Sequence, residues 1–415
     1  MVKKQVDVLI LNSNETITID SPDTETGLGI IDNGGVAINK GKITLAASTD
    51  LLERKFRARR TMDAEDQIIL PGFVDPHTHL IFAGAREAEF QLRIAGASYM
   101  DVLRKGGGII ETVNRTRQTS SESLFQSGKQ RLDKCLESGS TTVEIKSGYG
   151  LRDDDELRIL RTIQRLQKYH PCRTVPTFMG AHAVPPGETS SEYVLSVIDE
   201  MLPQIARAGL AEFCDVFCER GAFDSAESGR ILEKARKLGL KLKIHADQFT
   251  ESGGAEIANK LHATSADHLV HSPMRQLEKM AETKVVPVVL PSSSFSVLTG
   301  ENADARSMLT LGLPVALGTD FSPSNWMLGQ LTVAALASRQ LRMKASEIIR
   351  GITINAARAL GLEKRVGSLH VGKDADLVTL RVPSHKWIGY TYGERIVDNV
   401  LIGGEWVVRD GKRIP

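Results

Sequence analysis

Short apolar runs rich in β-branched residues alternate with longer polar–apolar stretches through the middle of this 415-residue chain. The runs have the length of buried strands, and the intervals are long enough for crossover helices. Leucine and isoleucine recur at helical spacing between residues 152 and 168, and weaker patterns predict helices at 227–237 and 273–283. The predicted strands span residues 67–75, 141–146, 174–179, 213–218, 242–246, 264–269, 285–290 and 315–319.

A strand followed by a helix, repeated eight times, predicts an α/β protein with a (β/α)8 TIM-like barrel. The alternative is a doubly wound open sheet, which carries a glycine-rich phosphate-binding turn after its first strand. That turn is absent here, and His77-Thr78-His79 occupies its place. The pattern therefore favours the barrel.

The two ends of the chain have a different pattern. Segments 6–19 and 36–46 are strand-like, with a hairpin turn at 39–42, and 375–380, 397–402 and 405–408 are strand-like near the C-terminus. Neither end alone carries enough apolar surface for a stable core. The prediction is a small β-sandwich domain built from residues 1–66 and 365–415, a barrel over 67–364, and a linking helix at 343–359.

Composition narrows the class of protein. Hydrophobic residues make up 41% and charged residues 25% of the chain, as in soluble globular proteins. The formal net charge of +1 predicts no nucleic-acid partner and no membrane surface. Four cysteines without Cys-x-x-Cys spacing, and an N-terminus without a cleavage signature, predict a cytoplasmic protein. A homodimer is the default expectation for a soluble enzyme.

The most informative motif is Pro71-Gly72-Phe73-Val74-Asp75-Pro76-His77-Thr78-His79, where an apolar run ends in two histidines. Side chains alternate along an extended chain, so His77 and His79 project to the same side. Two imidazoles on one face at the end of a strand form half of a metal site. The motif predicts a metal-dependent enzyme.

Active sites of α/β barrels lie at the carboxyl ends of the strands, and half of the ten histidines fall there. His77, His79, His245 and Asp320 form a set of three imidazoles and one carboxylate that suits zinc or another first-row divalent ion. Alternatively, His245 is a hydrogen-bonded core histidine and Asp320 caps a helix. His268 either orients the nucleophilic water or pairs with Asp267.

Three further features have competing interpretations. Lys146 could be carboxylated and bridge two metals, but a buried ion pair with Glu144 is the favoured interpretation. Arg86 either holds an anionic substrate or pairs with Glu87 or Glu89 on the surface. Gly106-Gly107-Gly108 lacks the Lys-Ser/Thr of a phosphate-binding loop, so it is predicted to form a mobile loop over the site.

With these residues in hand, the chain resembles the amidohydrolase superfamily and, within it, the imidazolonepropionase family. The superfamily resemblance rests on His77, His79, His245, His268 and Asp320. The closer resemblance rests on longer strings that run through nearly the whole chain: Gly84-Ala85-Arg86-Glu87, Gly106-Gly107-Gly108-Ile109, Glu144-Ile145-Lys146-Ser147-Gly148-Tyr149-Gly150, Phe178-Met179-Gly180-Ala181-His182, His245-Ala246-Asp247-Gln248, Ser265-Ala266-Asp267-His268-Leu269 and Thr319-Asp320-Phe321.

The resemblance implies hydrolysis of 4-imidazolone-5-propanoate to N-formimidoyl-L-glutamate in histidine degradation. It implies one zinc or iron ion held by His77, His79, His245 and Asp320, with Asp320 moving the proton and His268 aligning the nucleophile. It also implies substrate contacts from Arg86, Tyr149, His182 and Gln248, and from Ser322, Ser324 and Asn325 in the loop after Asp320.

This chain departs from the family pattern in that loop, where Phe321-Ser322-Pro323-Ser324-Asn325 replaces Phe-Asn-Pro-Gly-Ser. The contacts predicted for the loop therefore carry over weakly. Gln248 stands where some relatives have Glu, and an amide cannot shuttle protons, so hydrogen bonding is its expected role. The alternatives are a nucleobase or amidine deaminase, which uses a Glu at position 248, a two-metal cyclic-amide hydrolase, and a non-catalytic barrel that lacks ligands.

Overall fold

A computed structural model describes residues 3–19, 26–96 and 107–415. In these ranges the strands, in chain order, are β1 Lys4–Ile17, β2 Ile30–Asn39, β3 Lys42–Ser48, β4 Phe56–Asp63, β5 Ile68–Pro71, β6 Phe73–Asp75, β7 Ser140–Lys146, β8 Arg173–Ala181, β9 Phe213–Cys218, β10 Lys241–Ala246, β11 Ser265–His268, β12 Val286–Val289, β13 Ala316–Leu317, β14 Leu377–Leu380, β15 Val397–Ile402, β16 Glu405–Arg409 and β17 Lys412–Arg413.

The helices within the same ranges are α1 Thr49–Lys55, α2 Glu87–Ile94, α3 Ile109–Gln118, α4 Ser121–Glu137, α5 Asp153–Tyr169, α6 Ser190–Ser196, α7 Leu202–Ala208, α8 Ser225–Lys237, α9 Gly254–Leu261, α10 Met274–Thr283, α11 Pro291–Val297, α12 Ala305–Thr310, α13 Gln330–Gln340, α14 Ala345–Arg350 and α15 Ala356–Ala359. π-Helical turns at Val197–Met201 and Gly351–Asn355 join α6 to α7 and α14 to α15. A 3-10 turn spans His385–Trp387.

Strands β6 to β13 form one parallel eight-stranded sheet in chain order, which confirms the predicted barrel. The sheet closes between its first and last strands: Asp320 N donates to His77 O at 3.0 Å, and His79 N donates to Phe321 O at 2.8 Å. These bonds place the residues that follow β6 and β13 side by side. The predicted helices at 152–168, 227–237 and 273–283 are present as α5, α8 and α10.

The terminal strands form a separate sheet, in the order β17-β16-β15-β14-β5-β1-β2-β3, with β4 paired to β1. The long strand β1 changes register near Asn12, whose φ is +63°, and passes from β4 to β5. Residues of both chain ends then share one buried apolar cluster, including Val8, Val36, Leu377 and Leu401. This confirms the small β domain built from both termini.

The predicted first barrel strand, residues 67–75, is wrong as a single element because it breaks at Gly72. Ile68–Pro71 pairs antiparallel with β14 in the terminal sheet, and Phe73–Asp75 pairs with β7 in the barrel. A Cβ on Gly72 would lie only 2.3 Å from Thr141 Oγ1, so only glycine fits where the chain crosses between sheets. The terminal sheet therefore extends past the predicted boundary at residue 66, and the rest of the domain division stays a prediction.

Three smaller observations bear on the predictions. In the described ranges, no helix combines the length and apolarity needed to cross a membrane. All four cysteines are free thiols and buried. The predicted glycine loop spans residues 106–108. Gly106 lies outside the described residues, as do residues 97–105, and Gly108 has a φ of +81°.

Candidate metal and active site

Three histidines meet at the carboxyl end of the barrel. His77 and His79 follow β6 and His245 stands near the end of β10, and one ring nitrogen of each lies within 4.8 Å of those of the other two. His79 Nε2 and His245 Nε2 are 3.3 Å apart. Asp320, after β13, places Oδ1 3.5 Å from His77 Nε2 and 3.6 Å from His79 Nε2. The four residues predicted as ligands therefore share one location.

Two buried carboxylates orient the rings. Asp267 Oδ2 lies 2.7 Å from His77 Nδ1, and Asp215 Oδ1 lies 3.1 Å from His245 Nδ1. Each Nδ1 therefore donates its proton to a carboxylate, which leaves the Nε2 lone pair facing inward, as in carboxylate–histidine–metal arrangements. His77 Nε2 is buried and has no hydrogen-bond partner among the described residues.

The donor set fits a first-row metal ion. An inward-facing lone pair that is buried and unpartnered is costly unless a cation accepts it. Burial lowers the pKa of His77 and His79 well below the usual value, so both rings are neutral, as ligands must be. Burial raises the pKa of Asp320 to about 6, although a hydrogen bond from Ser293 and the nearby His245 oppose the rise.

Lys146 takes part in an ion-pair network beneath the histidines. Its Nζ lies 2.7 Å from Glu144 Oε1, which confirms the favoured Glu144–Lys146 pair, and 2.7 Å from Asp215 Oδ2. Burial lowers the pKa of Lys146, but Asp215, Glu144 and Asp267 outweigh it and raise the pKa above the usual value. The charged ammonium is thus fully occupied by carboxylates.

A cavity opens from this cluster toward solvent, and every predicted substrate-binding residue lines it. Their roles in binding stay predictions. The predicted residues on the cavity wall are Arg86, Tyr149, His182, Gln248, Ser322, Ser324 and Asn325. The sequence interpretation did not include Arg93, Ile109, Phe217, Phe249, Ser293, Ser296 and Val297, which also line the cavity.

Arg86 lies inside the cavity wall. Arg86 Nη1 lies 3.7 Å from Glu89 Oε2, so the alternative ion pair with Glu89 is present, but the Arg86 side chain is only 7% exposed and the pair is buried, not on the surface as expected. Arg86 Nη2 donates to Ser324 Oγ at 3.0 Å, and its Nε is buried without a partner in the described structure. Glu89 also pairs with Arg93 and accepts from Gly108 N at 2.9 Å. Because the single carboxylate of Glu89 lies between the guanidiniums of Arg86 and Arg93, this wall keeps a net positive charge.

His182 and His79 stack with ring centroids 4.8 Å apart and an interplanar angle of 16°. Burial lowers the pKa of His182 to about 3, so the ring is neutral. His182 Nδ1 is 3.1 Å from Gly148 O, to which it donates. The other ring nitrogen of His182 is then an acceptor, which suits an N–H group of a ligand.

The loop after Asp320 is held by Asn325. Its Nδ2 donates to Thr319 O at 2.9 Å and Asp320 O at 3.0 Å, and its Oδ1 accepts from Ser296 Oγ at 2.8 Å. The amide that was predicted to bind substrate is thus engaged in fixing the backbone at Asp320. Ser322 Oγ and Ser324 Oγ, 3.2 Å apart, remain on the cavity wall.

Asp215 and the role of Asp267 were missed from the sequence. Asp267 pairs with His77, so the alternative that it pairs with His268 is wrong. Asp215 stands in the otherwise apolar run Phe213–Cys218, and a carboxylate inside a buried strand was the available signal. His268 is buried, with its ring centroid 5.1 Å from that of His245.

Comparison with known proteins agrees with this barrel fold. The family model described as "Amidohydrolase family" matches residues 68–407. A crystal structure of an adenosine deaminase from Xanthomonas campestris with bound zinc superposes with a TM-score of 0.78 at 20% identity, covering 100% of this chain and 95% of that chain. The chain belongs to the amidohydrolase family.

The curated relatives narrow the assignment. An imidazolonepropionase of Alkaliphilus metalliredigens (strain QYMF) is 42% identical, covering 99% of this chain and 100% of the relative. The imidazolonepropionase of Shouchella clausii (strain KSM-K16) is 45% identical, covering 92% of this chain and 87% of the relative. Within the amidohydrolases, the chain is a member of the imidazolonepropionase group.

Proposed function

We propose that this chain hydrolyses the ring C–N bond of 4-imidazolone-5-propanoate and releases N-formimidoyl-L-glutamate, a step of histidine degradation. The observation that carries the proposal is 42–45% identity to imidazolonepropionases over nearly the full chain. The enzyme is a hydrolase acting on a cyclic amide. The cavity chemistry supports this substrate. Its anionic propanoate group matches the positive wall, and its planar, nitrogen-containing ring matches the neutral imidazoles beside that wall.

His77, His79, His245 and Asp320 would hold one metal ion, and zinc and iron both suit three imidazoles and a carboxylate. Such an ion supplies activation of water near neutral pH. The inward-facing Nε2 of His77, buried and unpartnered among the described atoms, supports a cation at this position.

Asp320 is the proposed proton carrier. It takes a proton from the attacking water and returns it to the ring nitrogen as the bond from the ring carbonyl carbon to that nitrogen breaks. The carbonyl carbon becomes a carboxylate, and the nitrogen stays on the formimidoyl group.

His268 is the proposed aligning residue for the nucleophile. Its backbone φ of +76° and the +61° of Leu269 lie in the left-handed region that non-glycine residues seldom adopt. Strained backbone of this kind at a strand end is typical of functional sites, where it aims one side chain. Here the ring is aimed at the histidine cluster, 5.4 Å from His77 between centroids.

Arg86 is proposed to bind the propanoate carboxylate, since a guanidinium pairs with a carboxylate through two parallel hydrogen bonds. Tyr149, His182 and Gln248 are proposed to bind the ring. Gln248 also argues against a deaminase, because the amide cannot shuttle the protons that such an enzyme moves. Ser322 and Ser324 are proposed as further contacts, and the Asn325 amide as a support of the loop.

The proposed setting is the cytoplasm, which four buried, free thiols support. A net charge of +1 supports the absence of a nucleic-acid partner. No membrane partner is proposed, and a homodimer is the proposed assembly.

A coupled assay tests the function. Urocanase generates 4-imidazolone-5-propanoate from urocanate, and mass spectrometry detects N-formimidoylglutamate. Native, metal-replete protein should form the product, and a His245→Ala variant should not. If native protein with one bound metal forms no product, the substrate assignment fails, and nucleobases and other cyclic amides become the substrates to test.

A further inference from the structure

Lys146 lies between the carboxylates that hold two of the metal-facing histidines. Its Nζ is 2.7 Å from Asp215 Oδ2 and 3.7 Å from Asp267 Oδ2, and all three side chains are fully buried. Asp215 orients His245, and Asp267 orients His77. We propose that Lys146 is a positioning residue that sets the affinity of the metal site by fixing the Asp215 carboxylate, and through it the His245 ring.

The contacts around Asp215 do not compete. His245 Nδ1 and His245 N use Oδ1, each at 3.1 Å, whereas Lys146 uses Oδ2. The lysine therefore fixes the rotation of the carboxylate without displacing the histidine. A single oxygen shared by both donors would leave the carboxylate free to turn away from the ring.

Lys146 is itself held from two neighbouring strands. Glu144 Oε1 accepts from Lys146 Nζ at 2.7 Å and from Thr177 Oγ1 at 2.5 Å, and Thr78 Oγ1 donates to Glu144 O at 2.6 Å. Thr78 stands between His77 and His79 in the chain. Thr78 N also donates to Glu144 Oε2 at 3.3 Å, so the ammonium is linked through Glu144 to the backbone of the metal-binding segment as well as to Asp215.

Charge explains why a cation is required here. Without Lys146, the buried Asp215 keeps only His245 as a partner for its charge among the described ion pairs. An unpaired buried carboxylate is costly. Without Lys146, Asp215 Oδ2 has no partner among the described hydrogen bonds, so the carboxylate is free to rotate away from His245 Nδ1. The ring is then held less firmly with Nε2 toward the metal.

The inference rests on the metal site of the proposed function and not on its substrate. Zinc is removed from purified full-length protein, and the dissociation constant is measured by competition with a chromophoric chelator. Lys146→Gln should weaken zinc binding about 10-fold, the lower end of the 10- to 100-fold effect of losing a direct partner of a ligand, since Lys146 acts on His245 through Asp215. The absorption spectrum of bound Co²⁺ should change as well, since it reports ligand geometry.

Arg173→Met is the matched control. Arg173 begins the neighbouring strand β8 and, like Lys146, serves two aspartates, with its Nη2 2.8 Å from Asp374 and 3.0 Å from Asp376. Those aspartates precede β14 and lie away from the histidines. This variant should lower the melting temperature and leave the zinc dissociation constant and the Co²⁺ spectrum as in the native protein.

Native zinc affinity and a native Co²⁺ spectrum in Lys146→Gln would overturn the proposal and leave Lys146 a stabilising residue only. If Lys146→Gln does not fold, Lys146→Gln/Glu144→Gln removes one charge of each sign, and its zinc affinity decides by the same criterion. Absence of turnover in the native protein would refute the substrate and leave these binding results intact.

Discussion

His77 and Asp267 are joined by a 2.7 Å contact between Nδ1 and Oδ2, although His77 follows β6, Asp267 lies in β11, and 190 residues separate them in the chain. Asp267→Asn removes the charge that keeps the proton on Nδ1 and the lone pair on Nε2. Zinc affinity should fall about 10- to 100-fold in a chelator competition. Asp374→Asn, in which the lost carboxylate is remote from the site, should keep native affinity. Equal affinities in the two variants would refute the role of Asp267.

Asp320→Asn should remove turnover while most of the metal stays bound. The amide keeps an oxygen near His77 and His79 but cannot accept and return a proton. Loss of general acid–base catalysis should lower kcat by about 10²- to 10⁴-fold. Metal content by elemental analysis and kcat from the coupled assay are measured on the same sample. Native kcat in this variant would refute Asp320 as the proton carrier.

Arg86→Lys should raise KM more than it lowers kcat, because the propanoate group lies away from the bond that breaks. Lysine keeps the charge but loses the two parallel hydrogen bonds, so KM should rise about 10-fold, and Arg86→Met should raise it further. Arg115→Met, which removes an exposed arginine paired with Glu111, serves as the control. An Arg86→Met enzyme with native KM would exclude Arg86 from carboxylate binding.

Gly72→Ala should destabilise the protein by about 1–3 kcal/mol, since the new methyl group overpacks against Thr141. In the native structure a Cβ at 72 would meet Thr141 Oγ1 at 2.3 Å and Cγ2 at 2.5 Å. Gly229→Ala in α8 meets only Ile257, at 3.6 Å, and should keep or raise stability. Urea unfolding of the metal-free variants compares the two, and no difference between them would contradict the steric account.

Asp374→Asn should reduce stability at neutral pH, and the loss should shrink in acid. Burial raises the pKa of Asp374, but Lys42, Arg173 and Arg365 outweigh it and hold the pKa below the usual value. A lowered folded pKa stabilises the protein above the unfolded pKa, and this contribution disappears as pH falls through the folded pKa.

The free energy of unfolding lost in Asp374→Asn should be about 1 kcal/mol above pH ~5, and this loss should shrink below pH ~4. Urea unfolding of metal-free native and variant proteins from pH 7 down to the lowest pH at which both fold measures it. A difference that grows in acid would have the wrong sign for a lowered pKa.

The eight barrel strands were predictable because buried parallel strands are continuous apolar runs. Residues at their ends could be assigned to one site, because parallel strands bring their carboxyl ends together. Phe56–Asp63 was missed because three of its eight residues are arginines and only Phe56 is buried, at the edge of the sheet. The edge strand shows no apolar run to detect.

Long-range contacts were the part that the sequence pattern did not contain. The break at Gly72 depends on Thr141, which is distant in the chain, and the Pro71-Gly72 dipeptide was the only local signal for it. The only partner considered for Asp267 was its sequence neighbour His268, as one of two alternatives, and His77 was missed, because a pattern gives the face of a strand but not the partner across the barrel. Predicting which side chains pair inside a closed barrel requires the register between its strands.

The passage of the chain from β5 to β6 through Gly72 means that the terminal sheet is not a detachable module. Ile68–Pro71 pairs with β14 in that sheet, and the chain continues from it directly through β6 to His77. The position of the first proposed metal ligand therefore depends in part on hydrogen bonds outside the barrel. A barrel that began at residue 67 would contain β5 without its partner strands β1 and β14, directly before the active-site histidines. Engineering or recombination of this enzyme must therefore move the two sheets together.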